Sequence, residues 1–348
     1  MAQNDWSGRL QRAWLRRGPL AIALWPLAQL FGGAVRIRSA LYAAGKLATH
    51  ELPVPVIVVG NLIVGGAGKT PTVIAIVQLL QQRGYTPGVV SRGYGRREDG
   101  VVAVDDDTTP AAAGDEPLLI RRRTRVPVAV GRDRAAAGEF LLSLHPEVDV
   151  VVCDDGLQHL RLARTAQVLV FDERGVGNGW LLPAGPLREP LPARAPPRTL
   201  VLYNATRRTT RLKGEFAKRS LAGIAPLKEW RAGVAPSPAA LDALKRALRT
   251  PIVAAAGMAH PQRFFSMLRD QGLPIKKCPL PDHYDFGTLP WPRETTDVIV
   301  TEKDAVKLDP ARLGTTTRVW VATLDFTLPA AFEAALLALL PPPSPPPR

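Results

Sequence analysis

Val54-Pro-Val-Ile-Val-Val-Gly-Asn-Leu-Ile-Val-Gly-Gly-Ala-Gly-Lys-Thr-Pro-Thr72 decides how this chain is read. Val54 to Val59 is a short apolar run rich in β-branched residues, the composition of a buried strand. A glycine-rich turn follows, and from Val73 to Leu80 apolar residues recur at helical spacing. Strand, glycine turn and helix in that order make a phosphate-binding loop. Gly65, Gly66 and Gly68 allow positive φ and close approach of backbone N–H groups to phosphate oxygens. The helix N-terminus adds partial positive charge. The loop Gly65, Gly66, Ala67, Gly68, Lys69, Thr70 and Pro71 is therefore expected to cradle ATP. Lys69 would reach the β- and γ-phosphates, and the Thr70 hydroxyl would bind Mg²⁺. The pattern G-x-x-x-x-G-K-[ST] is missing its first glycine, because Ile63 stands there.

The signals downstream agree with a nucleotide site. Val148-Asp-Val-Val-Val-Cys-Asp-Asp155 is a valine-rich strand ending in two carboxylates, the form of a Walker-B strand that holds Mg²⁺ through Asp154 or Asp155. Ser91-Arg-Gly-Tyr-Gly-Arg96 is a basic, glycine-opened loop after a short strand, where open α/β sheets bind ligands. Arg92 could neutralise a phosphate there. Gly175 to Pro190 has too little regular pattern for an ordinary connection, and loops of that length usually serve binding. It contains Arg188 and Glu189. Strands alternate with helices along the whole chain, which predicts an α/β fold with a doubly wound, mostly parallel sheet of the P-loop kind and a second, smaller α/β lobe.

Composition narrows the partners. The 348 residues carry 45 Lys and Arg against 31 Asp and Glu, a formal charge of +14. An acidic partner follows: nucleic acid, anionic lipid or a phosphorylated substrate. A nucleic-acid motor or switch is the rival reading. No basic groove with stacking aromatics is visible, and aromatics make up 6 % of the chain, so no nucleic-acid partner is expected. The two cysteines, Cys153 and Cys278, fit neither a metal nor a disulfide pattern.

Gly18 to Val35 carries no charge and is flanked by Arg12, Arg16, Arg17, Arg36 and Arg38, with Trp14 and Trp25 suited to a headgroup boundary. A pair of interfacial helices with basic flanks fits this best. A spanning helix, weakened by Pro26, Gln29, Gly32 and Gly33, and a plain buried helix remain as alternatives. A secretory signal would strand an ATP-dependent protein outside the cell. The expected organisation is a membrane-associated helical segment at 1–50, a P-loop core at 51–205, an α/β lobe completing the site at 206–340, and a disordered proline-rich tail at 341–348.

Seven blocks in order resemble one family, tetraacyldisaccharide 4′-kinase of lipid A biosynthesis. They are Asn61 to Pro71, Ser91 to Arg96, Gly114-Asp-Glu-Pro117, Asp154-Asp-Gly-Leu-Gln-His159, Leu182 to Pro190, Gly257-Met-Ala-His-Pro-Gln-Arg-Phe264 and Thr301-Glu-Lys-Asp304. The family's loop resembles G-G-x-G-K-T-P, which accounts for Ile63. The resemblance implies transfer of the γ-phosphate of ATP to the 4′-hydroxyl of tetraacyldisaccharide 1-phosphate, a lipid A precursor, giving lipid IVA. It implies Mg²⁺ as the metal and the cytoplasmic face of the bacterial inner membrane as the location. By resemblance, Asp115 is the general base and His260 the partner that orients it, with Lys69 as the third catalytic residue. Arg92, Arg188 and Glu189 would contact substrate; Thr70, Asp154 and Asp155 would serve the metal. The roles of His283, Glu302, Lys303 and Asp304 stay open at this point.

Overall fold

The computed structural model describes residues 10, 13–96, 99–258, 260–314 and 316–344. Arg12 and the tail residues 345–348 lie outside the described residues. In chain order the strands are β1 Val56–Gly60, β2 Pro87–Ser91, β3 Val102–Ala103, β4 Val128–Val130, β5 Val150–Asp154, β6 Ala166–Asp172, β7 Thr199–Asn204, β8 Glu215–Phe216, β9 Lys218–Pro226, β10 Ile252–Gly257, β11 Ile275–Leu280, β12 Asp297–Thr301 and β13 Arg318–Thr327.

The chain divides into two compact units. The first comprises residues 1–92, 131–217 and 328–348, the second 93–130 and 218–327. In the first, β2-β5-β1-β6-β7-β8 run side by side, every pair parallel. β1, β2 and β5 are buried along their whole length, as valine-rich strands in a parallel sheet must be. Helices Lys69–Gln82, Arg134–Leu144 and Ala330–Leu337 lie between or after the strands. In the second unit β11-β10-β12-β13 are parallel and β9 closes the sheet antiparallel to β13. β3 and β4 form a short antiparallel ribbon, and helix Asp115–Thr124 follows the sharp Gly114 turn.

The smaller unit therefore takes in 93–130 as well as 218–327, whereas sequence order alone put 93–130 inside the core. Within that unit, Arg123 on helix Asp115–Thr124 binds Glu302 on helix Glu302–Ala305 at 2.7 Å, 179 positions away. Cys153 and Cys278 are both free thiols.

From Pro19 onward the charge-free stretch lies within one 25-residue helix, Pro19–Ala43; most of what precedes Ala13 lies outside the described residues. Pro26 removes one donor from the helix but does not break it. Gly32 is not a break either; a Cβ there would come within 2.7 Å of Leu181 Cδ1, so glycine permits close contact. Ala21, Ala28 and Gly32 fall on one face and are buried. Leu20, Ile22, Trp25, Leu27, Leu30 and Ile37 are exposed on the rest. The helix is long and apolar enough to cross a membrane, by length and composition. At the other terminus, the proline-rich residues 341–344 are held rather than loose. Proline carbonyls still accept hydrogen bonds, and Tyr85 Oη donates to Pro341 O at 2.6 Å, while Ser344 N donates to Asp149 at 3.0 Å.

Candidate active site

In the first unit the carboxyl ends of parallel strands converge on the glycine loop, the position where open α/β sheets bind ligands. β1 ends at Gly60 and leads into Asn61, Gly65 and Gly68; Gly65 and Gly68 sit at φ +94 and +91, which a side-chain-bearing residue rarely adopts. Helix Lys69–Gln82 starts directly at Lys69. Lys69 is nearly buried; its Nζ donates to Asn61 Oδ1 at 3.2 Å and stands 3.6 Å from Asp155 Oδ1. Thr70 is equally buried, on the first helical turn, with Pro71 behind it.

β5 delivers the two carboxylates. Asp154 is 1 % exposed, and Ser91 Oγ, at the end of β2, donates to its Oδ2 at 3.4 Å. Asp155 lies just past the strand at φ +48, a strained setting of the kind that clusters at functional sites. Its carboxylate meets Lys69 and Arg188 Nη1, the latter at 3.1 Å. Burial pushes the Asp155 carboxyl up, but Lys69, Arg188 and Arg134 outweigh it and hold it below the usual range. Arg188 also donates to Gln158 Oε1 at 3.1 Å, and Gln158 Nε2 donates to Glu189 at 2.8 Å. Burial leaves Glu189 above the ordinary carboxyl value. Lys69, Asp155, Arg188, Gln158 and Glu189 thus form one connected set. Arg92 is exposed beyond β2; the Arg134 guanidinium is held below its usual value chiefly by burial, with the Arg92 charge acting in the same direction.

The donor set suits Mg²⁺. Mg²⁺ takes hard oxygens from one or two carboxylates and completes its shell with phosphates and water. Thr70, Asp154 and Asp155 supply such oxygens; among the described residues no group of three or more His, Cys, Asp or Glu forms a self-sufficient metal cage.

The second unit holds Asp115, 4 % exposed, at the start of helix Asp115–Thr124. The imidazole bonded to it is that of His283, with Nδ1 3.0 Å from Oδ2. Sequence reasoning assigned this partnership to His260, which precedes helix Pro261–Asp270 as its N-terminal flanking residue. His283 takes φ +59 in a turn and its ring lies 5.3 Å from that of Tyr94. Lys303 and Lys307, four residues apart, put their ammonium groups 4.0 and 3.7 Å from Asp115 Oδ2. Burial pushes the Asp115 carboxyl up, yet the His283 hydrogen bond and the two lysines prevail and hold it below its usual value. The same hydrogen bond raises His283. Asp115 is thereby an ionised, oriented carboxylate. Asp304 braces this cluster: its Oδ2 accepts from Gly257 N and Thr301 Oγ1, and its Oδ1 lies 3.4 Å from Lys307. Glu302, buried, accepts from Arg123 and from Trp230 Nε1 at 3.2 Å.

A nucleotide-type glycine loop, a strand ending in paired carboxylates, and a separate buried carboxylate held by a histidine define a P-loop phosphotransferase. A family model, tetraacyldisaccharide-1-P 4′-kinase, matches residues 20–341. The chain belongs to that family. It is 56 % identical over 338 residues to the tetraacyldisaccharide 4′-kinase of Leptothrix cholodnii, covering 96 % of each chain. It is 54 % identical to that of Methylibium petroleiphilum, covering 97 % of this chain and 94 % of the other. The crystal structure of LpxK from Aquifex aeolicus in complex with ATP is similar at TM-score 0.75 and 28 % identity, covering 92 % of this chain and 99 % of that one.

Proposed function

We propose that this protein transfers the γ-phosphoryl group of ATP to the 4′-hydroxyl of tetraacyldisaccharide 1-phosphate, yielding lipid IVA and ADP at the cytoplasmic face of the inner membrane. The observation that carries the reading is the connected set around Lys69, Asp155 and Arg188. Two cations and a carboxylate sit at the start of a helix whose preceding loop is built for phosphate. Family membership selects the acceptor.

The residues divide the work as phosphoryl transfer requires. Little covalent chemistry is asked of the protein, and positioning with charge stabilisation supplies most of the acceleration. Lys69 neutralises the β- and γ-phosphates. Arg188 is anchored on Asp155 and Gln158, so its remaining donors are pre-aimed for anionic oxygens. Thr70, Asp154 and Asp155 would hold Mg²⁺, which would supply charge neutralisation on the phosphates. Asp115 accepts the proton of the 4′-hydroxyl as that oxygen bonds to phosphorus and the bond to ADP breaks. Its depressed basicity suits late proton transfer in a loose transition state, and His283 fixes the carboxylate's direction. The exposed apolar surface of Pro19–Ala43 lies against the bilayer that holds the acceptor.

The test is a transfer assay with labelled ATP, Mg²⁺ and tetraacyldisaccharide 1-phosphate in mild detergent. A labelled bisphosphorylated lipid is expected, absent with Lys69→Ala. ATP turnover that responds to another acceptor and leaves this lipid unlabelled would overturn the assignment.

A further inference from the structure

Four consecutive carbonyls of the nucleotide loop are each held by a side chain from outside the loop. Arg174 Nη1 donates to Val64 O at 3.3 Å and Nη2 to Gly66 O at 2.9 Å. Asn61 Nδ2 donates to Gly65 O at 3.1 Å, and Asn204 Nδ2 donates to Ala67 O at 3.2 Å. A trans peptide is planar, with its C=O and N–H on opposite sides. Fixing the oxygens of Val64, Gly65, Gly66 and Ala67 therefore fixes the directions of the amides of Gly65, Gly66, Ala67 and Gly68, each opposite its own carbonyl. None of those four amides donates a hydrogen bond among the described residues. A row of pre-aligned, unspent amides is what a phosphate requires.

The donors are themselves fixed. Asn61 is fully buried at the end of β1, and Asn204 is buried at the end of β7. Arg174 is locked by Asp172, the last residue of β6, whose carboxylate accepts from Arg174 Nε at 2.9 Å and from its backbone N at 2.9 Å. Asp172 is completely buried. Gly65 makes room for the arrangement: a Cβ there would lie 3.1 Å from Arg174 Nη1. Three strand ends thus impose the loop's shape, in a chain that lacks the first glycine of the usual pattern.

We propose that Arg174, locked by Asp172 and assisted by Asn61 and Asn204, is a positioning residue for ATP. It sets the nucleotide loop in its phosphate-accepting shape by holding alternate carbonyls away from the phosphates. Its guanidinium is spent on the loop, so it acts through the loop amides and not on the transferred group. The inference rests on the loop binding ATP, as proposed above.

The experiment measures ATP binding by calorimetry and steady-state KM for ATP and for the lipid acceptor, in the native chain, Arg174→Gln, Arg174→Lys and Asn204→Ala. Arg174→Gln is expected to weaken ATP about tenfold or more, with the acceptor KM unmoved. Lysine keeps the charge but puts its donors on one nitrogen, without the planar fork that reaches Asp172, Val64 O and Gly66 O together, so Arg174→Lys should not restore affinity. Asn204→Ala, which removes one brace and no charge, should show a smaller loss in the same direction and keeps the test alive if Arg174→Gln fails to fold. Folded Arg174→Gln and Asn204→Ala proteins with native ATP affinity, or a lysine variant that fully restores it, would overturn the brace. Failure of the native chain to bind ATP would instead remove the reading on which the inference rests.

Discussion

Replacing His283 by glutamine tests whether Asp115 and His283 act as one unit. The hydrogen bond is 3.0 Å, to a carboxylate that is 4 % exposed. Hydrogen bonds to charged groups are worth about 1.5–3 kcal/mol, so losing this one predicts a drop in kcat of about ten- to hundredfold. Lys303 and Lys307 still face the carboxylate in the variant, so Asp115 stays ionised at neutral pH and loses orientation more than charge. Asp115→Asn removes the base itself and should cost about 10²–10⁴-fold. A residue that works only by orienting another adds nothing once the other is gone. The double variant should therefore be no slower than Asp115→Asn alone. The assay is single-turnover labelled-phosphate transfer at saturating ATP. A double variant whose loss is the product of the two single losses would refute the unit. The pair also has a pH signature in stability. His283 is raised above 6.5 in the folded chain, so its contribution is full below pH 6.5 and is lost as pH rises through the folded value. Asp115 is lowered below 3.8, so its contribution is full above pH 3.8 and is lost as pH falls through its folded value. The stability gap between native chain and His283→Gln should be widest between pH 3.8 and 6.5 and narrow at alkaline pH, as read by urea unfolding.

Three further outcomes are expected. Lys69→Ala removes a preorganised donor from developing phosphate charge and should lower kcat by about 10²–10³-fold, measured by the same transfer assay. Arg123→Met strands buried Glu302, which burial already holds above the usual carboxyl value despite that arginine. The variant should lose about 3–5 kcal/mol at neutral pH, and the loss should shrink as pH falls and Glu302 takes up a proton, which denaturant titrations at pH 7 and 5 would compare. Leu30→Ser with Ile37→Ser, two exposed positions on Pro19–Ala43, should cut co-sedimentation with anionic vesicles at least tenfold while leaving ATP binding intact; unchanged sedimentation would detach the helix from the bilayer.

The parts that local sequence could reveal were those whose chemistry is local. Lys69 and Thr70 follow a glycine run; Asp154 and Asp155 end a valine strand; both patterns need only a few adjacent residues and the structure sets them at the carboxyl ends of parallel strands. What sequence left open depends on partners far away in the chain. Asp115 is opposite His283 across 168 positions, whereas the family resemblance pairs it with His260. His283 lies in a turn at positive φ, a conformation that spacing does not announce. Glycines 32 and 33 read as interruptions of a helix because nothing in the sequence says that Leu181 packs against the first of them.

The nucleotide loop shows the same limit from the other side. Its glycines advertise that the backbone can bend toward phosphate, but freedom to bend is not a shape, and glycine costs conformational entropy on ordering. The shape comes from Arg174 and Asn204, more than a hundred positions downstream, and from Asn61, whose side chain meets both Gly65 O and Lys69 Nζ. Asn61 also receives Gln158 on its carbonyl at 3.3 Å, and Gln158 holds Arg188. A shift of the loop therefore reaches the Arg188–Asp155 pair through three hydrogen bonds, Gly65 to Asn61, Asn61 to Gln158 and Gln158 to Arg188. The residues that read as motif supply the reacting charges, while the polar side chains at strand ends decide whether those charges are in place before ATP arrives.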